Sequence, residues 1–145
     1  MSTHLYTGGC HCANISVKME LMGVPEAYHP RACDCGYCVR HGASYLSDPD
    51  GKLSIQVADA AGLGRYRQGD MRAEFIFCRM CGVLVGVSYE EGGHRYGAIN
   101  SRVITNAAVF GESLIASPRK LTQLEKIQRW KEIWFQEFDI KVANV

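Results

Sequence analysis

The chain has 145 residues, of which 47% are hydrophobic and 21% charged, and its net charge is +1. That balance fits one soluble domain with its own core, spanning residues 1–145, and argues against a disordered chain. No Lys/Arg run gives a nucleic-acid footprint, no apolar run approaches the ~20 residues of a membrane span, and the N-terminal residues lack a signal pattern; a cytoplasmic protein is expected.

Taken in order, residues 14–20 alternate, with Ile15, Val17 and Met19 on one face, and stop at Gly23-Val24-Pro25. A short apolar run at residues 43–46 and the alternating Leu53, Ile55 and Val57 flank Ser47-Asp48-Pro49-Asp50-Gly51, which reads as a hairpin. A short strand is predicted at residues 65–67. Residues 73–77 run into one cysteine pair, residues 83–89 leave it, and Glu90-Glu91-Gly92-Gly93 turns the chain back into residues 95–99. Near the C-terminus, Thr122-Gln123-Leu124-Glu125 has the form of a capping box, with Ser117-Pro118 as an alternative start. Leu124, Ile127, Lys131, Trp134 and Phe138 follow at helical spacing, with Ile133 beside them. The spacing predicts a helix of about 14 residues that covers part of a sheet. The fold class expected is all-β, made of short antiparallel strands with one C-terminal helix.

All seven cysteines fall in three clusters: Cys10-His11-Cys12, Cys33-Asp34-Cys35-Gly36-Tyr37-Cys38 and Cys78-Arg79-Met80-Cys81. Thiols one or two residues apart suit a soft metal, and an odd number in a reducing compartment argues against a disulfide framework. Cys78-x-x-Cys81-Gly82 lies between two strand-like runs, as a zinc knuckle at a hairpin tip. Cys10-x-Cys12 follows Gly8-Gly9, read as freedom to bend. Together the two pairs supply the four ligands of a closed structural zinc site. Closing the loop of about 65 residues between them costs ~3–4 kcal/mol, against ~10–16 kcal/mol for structural zinc binding. A redox role for Cys78 and Cys81 is disfavoured by the apolar strands on both sides. His11 is expected to point away.

Cys33, Cys35 and Cys38 are three ligands with a vacancy, the arrangement of a catalytic zinc site. A thiolate-rich zinc with an open position suits an incoming thiol. Arg31 and Arg40 bracket the cluster, as anion contacts or as solvated loop residues. A closed site completed by His29, His41, Asp34 or His94 is the alternative.

Gly8-Gly9-Cys10-His11-Cys12, Cys33-x-Cys35-x-x-Cys38 and Phe77-Cys78-x-x-Cys81-Gly82, in that order and followed by Ile99-Asn100-Ser101-Arg102, resemble the glutathione-dependent formaldehyde-activating family, also called the Gfa or centromere-protein-V type. The resemblance covers residues 5–115 and leaves residues 116–145 as a C-terminal extension. It implies a Mss4-like β fold, a structural zinc on Cys10, Cys12, Cys78 and Cys81, and a catalytic or labile zinc on Cys33, Cys35 and Cys38. It further implies a carbon–sulfur lyase that joins glutathione, or another small thiol, to formaldehyde or a similar aldehyde-type electrophile. Arg102 joins Arg31 and Arg40 as a candidate anion contact for that thiol. A homo-oligomer is compatible with this reading. The alternatives are a non-catalytic zinc-binding interaction module and a thiol or metal sensor.

Overall fold

The apolar alternation of strand β2 (Ile15–Leu21) sends Ile15, Val17, Met19 and Leu21 to one buried face, with Ser16 and Lys18 exposed. In this computed structural model, which describes residues 4–68, 72–105 and 109–143, β2 lies between β1 (His4–Gly9) and β5 (Lys52–Val57). Strand β11 (Glu137–Val142) closes this four-stranded sheet, in the order β1-β2-β5-β11.

The second sheet has seven strands. They are β3 (Arg31–Cys33), β4 (Ser44–Leu46), β6 (Leu63–Tyr66), β7 (Glu74–Cys78), β8 (Leu84–Glu91), β9 (His94–Asn100) and β10 (Leu114–Ala116), in the order β10-β3-β4-β9-β8-β7-β6. Successive residues point to opposite faces except at Val85, an extra residue of β8 where the pairing with β7 shifts between Ile76 and Phe77, and both faces are buried. Leu46, Ile76, Val85 and Ile99 face the four-stranded sheet, while Tyr45, Phe75, Val87 and Ala98 face the other way. That second face is covered by helix α2 (Gln123–Ile133) through Trp130 and by Trp134 at the helix end, their rings stacked at 5.0 Å.

The protein is mostly β, as expected, with three differences. First, β4 and β5 do not form a hairpin: they belong to different sheets. The turn signal is real, but Asp48 points back rather than across. Its carboxylate accepts from the Met22 amide at 2.9 Å and from the Tyr28 hydroxyl at 2.7 Å, which ties the crossover to the end of β2. Second, the strands are not all antiparallel: β10 runs parallel to β3, and β11 parallel to β5. Third, the described residues form two α-helices, since α1 (Gly36–His41) follows the middle cysteines.

The capping box forms as predicted, with Thr122 Oγ1 accepting from the Glu125 amide and Glu125 from the Thr122 amide. The helix is shorter than expected because Trp134 leaves helical geometry and the chain continues as β11. Leu124, placed on the apolar stripe by spacing, is 80% exposed, whereas Trp130 is buried. No helix among the described residues is long and apolar enough to cross a membrane.

Phe135 is fully buried in the inter-sheet core, and its backbone bridges to Gly97 of β9. Phe135→Ala should cost about 3–5 kcal/mol in urea unfolding, and Leu124→Ala less than about 0.5 kcal/mol. A Phe135→Ala loss below about 1 kcal/mol would mean that the C-terminal segment is not built into the core.

Candidate metal centres

The N-terminal knuckle is made by a tight turn between β1 and β2. The Cys10 amide donates to the Ile15 carbonyl at 2.9 Å, the Ala13 amide reaches back to Cys10 O, and Ala13 adopts a left-handed φ of 69°. The second knuckle joins β7 to β8. There the Gly82 amide donates to Cys78 O at 2.8 Å, and Gly82 has φ 81°, the conformation for which glycine is suited. Gly8 serves a different purpose from the one expected of it. A Cβ there would lie 2.0 Å from the Val103 carbonyl oxygen, so Gly8 permits a close approach to residues 103–104 rather than a bend.

These turns bring Cys10, Cys12, Cys78 and Cys81 together, with all four Sγ atoms within 4.8 Å of one another. Cys12 Sγ lies 3.7 Å from Cys10 Sγ and 3.5 Å from Cys78 Sγ. Tetrahedral coordination at ~2.3 Å per Zn–S bond places sulfurs ~3.8 Å apart, so the cluster has the dimensions of a four-thiolate site. Backbone amides already point at the sulfurs, Ile15 N to Cys10 Sγ at 3.3 Å and Cys81 N to Cys78 Sγ at 3.5 Å. Burial alone would push the Cys81 thiol up, but hydrogen bonds from the Val83 and Cys12 amides and from neighbouring thiols bring it down to about 6. His11 is exposed and outside the cluster.

The second cluster is assembled by a strand-to-helix transition. Cys33 ends β3, Cys35 is the N-cap of α1, and Cys38 sits in its first turn, its amide donating to Cys35 Sγ at 3.4 Å. All three Sγ atoms lie within 4.8 Å of one another, and no fourth His, Cys, Asp or Glu among the described residues joins them. The proposed fourth ligands are engaged elsewhere. His29 Nδ1 bonds to Glu112 O, His41 packs on Tyr37, and His94 packs on Tyr96. Asp34 accepts from Ser117 Oγ and pairs with Arg119 at 3.3 Å. Donors surround the sulfurs: the buried Tyr45 hydroxyl lies 3.1 Å from Cys38 Sγ, and Gln68 Nε2 donates to Cys35 Sγ at 3.5 Å. Hydrogen bonds from the Cys33 and Cys38 thiols hold the Cys35 thiol far below its ordinary range, and the reciprocal interaction pushes Cys33 up to about 11.

Only this second cluster borders a cavity of about 520 Å³ that lies between the seven-stranded sheet and α2. Of the three candidate anion contacts, Arg31 lines the cavity, while Arg40 and Arg102 do not. Arg40 donates to Gly36 O within α1, and Arg102 Nε donates to Gly42 O just beyond the helix. The structure adds Lys126, Arg129, Trp130 and Ile133 of α2 to the wall. Their i, i+3, i+4, i+7 spacing places them on one helical face. A stripe of apolar residues alone does not reveal that face, because two of its four members are cations.

No protein-family model matches the chain, and no curated protein matches it. Among solved structures, the crystal structure of a Rhodobacter sphaeroides protein is similar to it, with a TM-score of 0.53 and 25% sequence identity, covering 76% of this chain and 99% of that one.

Proposed function

We propose that the protein is a zinc-dependent carbon–sulfur lyase, or adduct-forming enzyme, that acts on a small thiol and an aldehyde-type electrophile. The observation that carries this reading is the contrast between the two clusters: four thiols in one, and three thiols facing a cavity in the other. The first would hold a structural zinc and the second a catalytic or labile one. The cysteine motifs that resemble the glutathione-dependent formaldehyde-activating family support the reaction class and a Mss4-like fold, and they suggest glutathione as one thiol to test.

When bound, zinc on three thiolates supplies a fourth position that suits an incoming thiol and keeps it deprotonated at neutral pH. Addition of a thiol to an aldehyde forms a C–S bond, converts the carbonyl to a hydroxyl and places the thiol's proton on that oxygen. It needs no oxidant or reductant. The chain's own contribution is to fix and moderate the sulfurs. The Tyr45 hydroxyl and the Gln68 amide stand within hydrogen-bond reach of Cys38 and Cys35, where they offset the negative charge of a three-thiolate set. The apolar walls of Phe75, Val87 and Trp130 limit water at the reacting sulfur.

Metal analysis of the zinc-loaded protein should find two zinc ions per chain, one of which is withdrawn first by a chelator. Cys35→Ser should lose that ion and melt within a few degrees of the parent protein, whereas Cys78→Ser should melt far lower. Equal destabilisation by the two substitutions would remove the distinction between them. In calorimetry, small thiols should bind the zinc-loaded protein one to one and should not bind Cys35→Ser. Absence of binding by any thiol would favour a non-catalytic zinc module or a metal sensor.

A further inference from the structure

Apart from the three cysteines, every ionisable side chain of ordinary charge in the cavity wall is a cation. Arg31, Arg119, Lys126 and Arg129 line it, and no Asp or Glu does among the described residues. Arg119 is already paired with Asp34. Neither Arg31 nor Arg129 has a carboxylate within ion-pair distance among the described residues, and Arg129 is near enough for its charge to act on Arg31. Arg129 is exposed, but Arg31 is partly taken out of water beside it, and a desolvated guanidinium next to a second cation is costly unless an anion joins them.

Arg31 is also held in place. Its Nη2 donates to Ser47 Oγ at 2.7 Å, and Ser47 donates to the Ile133 carbonyl at 2.6 Å. The guanidinium is thereby locked against the end of α2. Arg31 and Cys33 are two residues apart on β3 and share a face, about 6.6 Å apart along the strand. The rest of the wall near α2 is apolar and aromatic, through Trp130, Trp134 and Ile133.

We infer that the cavity selects a thiol with a carboxylate and an apolar body, the carboxylate held between Arg31 and Arg129 while the sulfur faces Cys33, Cys35 and Cys38. This rests on the reading of the three-cysteine cluster as a thiol site. The inference also narrows the substrate class. A ligand that carries an ammonium, as glutathione does on its glutamyl end, meets four cationic side chains and no carboxylate among the described residues of this wall. The preferred class is therefore a mercaptocarboxylic acid without an amino group. Arg31 and Arg129 are its specificity residues, and Trp130 packs against its body.

The test compares three thiols of one shape by calorimetry on the zinc-loaded protein: para-mercaptophenylacetate, its neutral amide, and para-mercaptobenzylamine. The acid should bind about tenfold or more tightly than the amide, and the amine should be the weakest. Arg129→Met, a change at an exposed position on α2, should bring the acid close to the amide and leave the amide's affinity unchanged. Arg31→Met should do the same, with thermal melting run alongside because it also breaks the Ser47 contact. If acid and amide bind equally, or if their ratio survives Arg129→Met, the charge assignment is overturned while the thiol site stands. If none of the three binds, the thiol site itself is wrong and the assignment falls with it.

Discussion

The seven-stranded sheet is apolar on both faces, and the arrangement of the rest of the chain follows from covering both. One face meets β2 and β5, whose inward residues Ile15, Val17, Met19, Leu53, Ile55 and Val57 are all nearly inaccessible. The other face meets Trp130 and Trp134 of the C-terminal segment. Between helix α2 and the sheet a cavity remains, lined from β10 and β3 across to Val87 of β8 and Phe75 of β7, and the three-cysteine cluster opens into it. Covering an apolar face thus also creates the cavity.

The two cysteine clusters differ because their local backbones differ. Cys10 and Cys12 sit in a turn between antiparallel strands, as do Cys78 and Cys81, so two similar halves meet around one point. Each half supplies two sulfurs, so the cluster offers the four ligands a tetrahedral ion would need and no further position for an outside ligand. Cys33, Cys35 and Cys38 come from a single strand-to-helix transition. One such transition delivers three sulfurs, and the neighbouring groups are a phenol and an amide rather than further metal ligands.

Much of this was legible in the residues. β2 and β5 announce themselves by alternation, β7, β8 and β9 by runs bounded by a cysteine pair and the Glu90-Glu91-Gly92-Gly93 turn, and the grouping of the cysteines separates a four from a three. Two kinds of information were not legible. Turn chemistry at Asp48 reports that the chain reverses but not which strand pairs with which, so β4 and β5 read as partners when they lie in different sheets. The other lies in the C-terminal segment. Apolar spacing selected the series that starts at Leu124, which faces solvent; Trp130 lies outside that series, and Lys126 and Arg129 were passed over because cations on a helix are ordinarily counted toward the wet face. β11 was hidden for a related reason: Phe138 and Ile140 alternate correctly, but they continue directly from a helical pattern.

The central claim is that one cluster is closed and the other can take an outside thiol. Cadmium NMR of the protein loaded with cadmium at both clusters tests it directly. Two resonances are predicted, and a small thiol should shift only the one that Cys35→Ser abolishes. If the thiol shifts neither resonance, or shifts the one that Cys78→Ser abolishes, the assignment of an open and a closed site is contradicted.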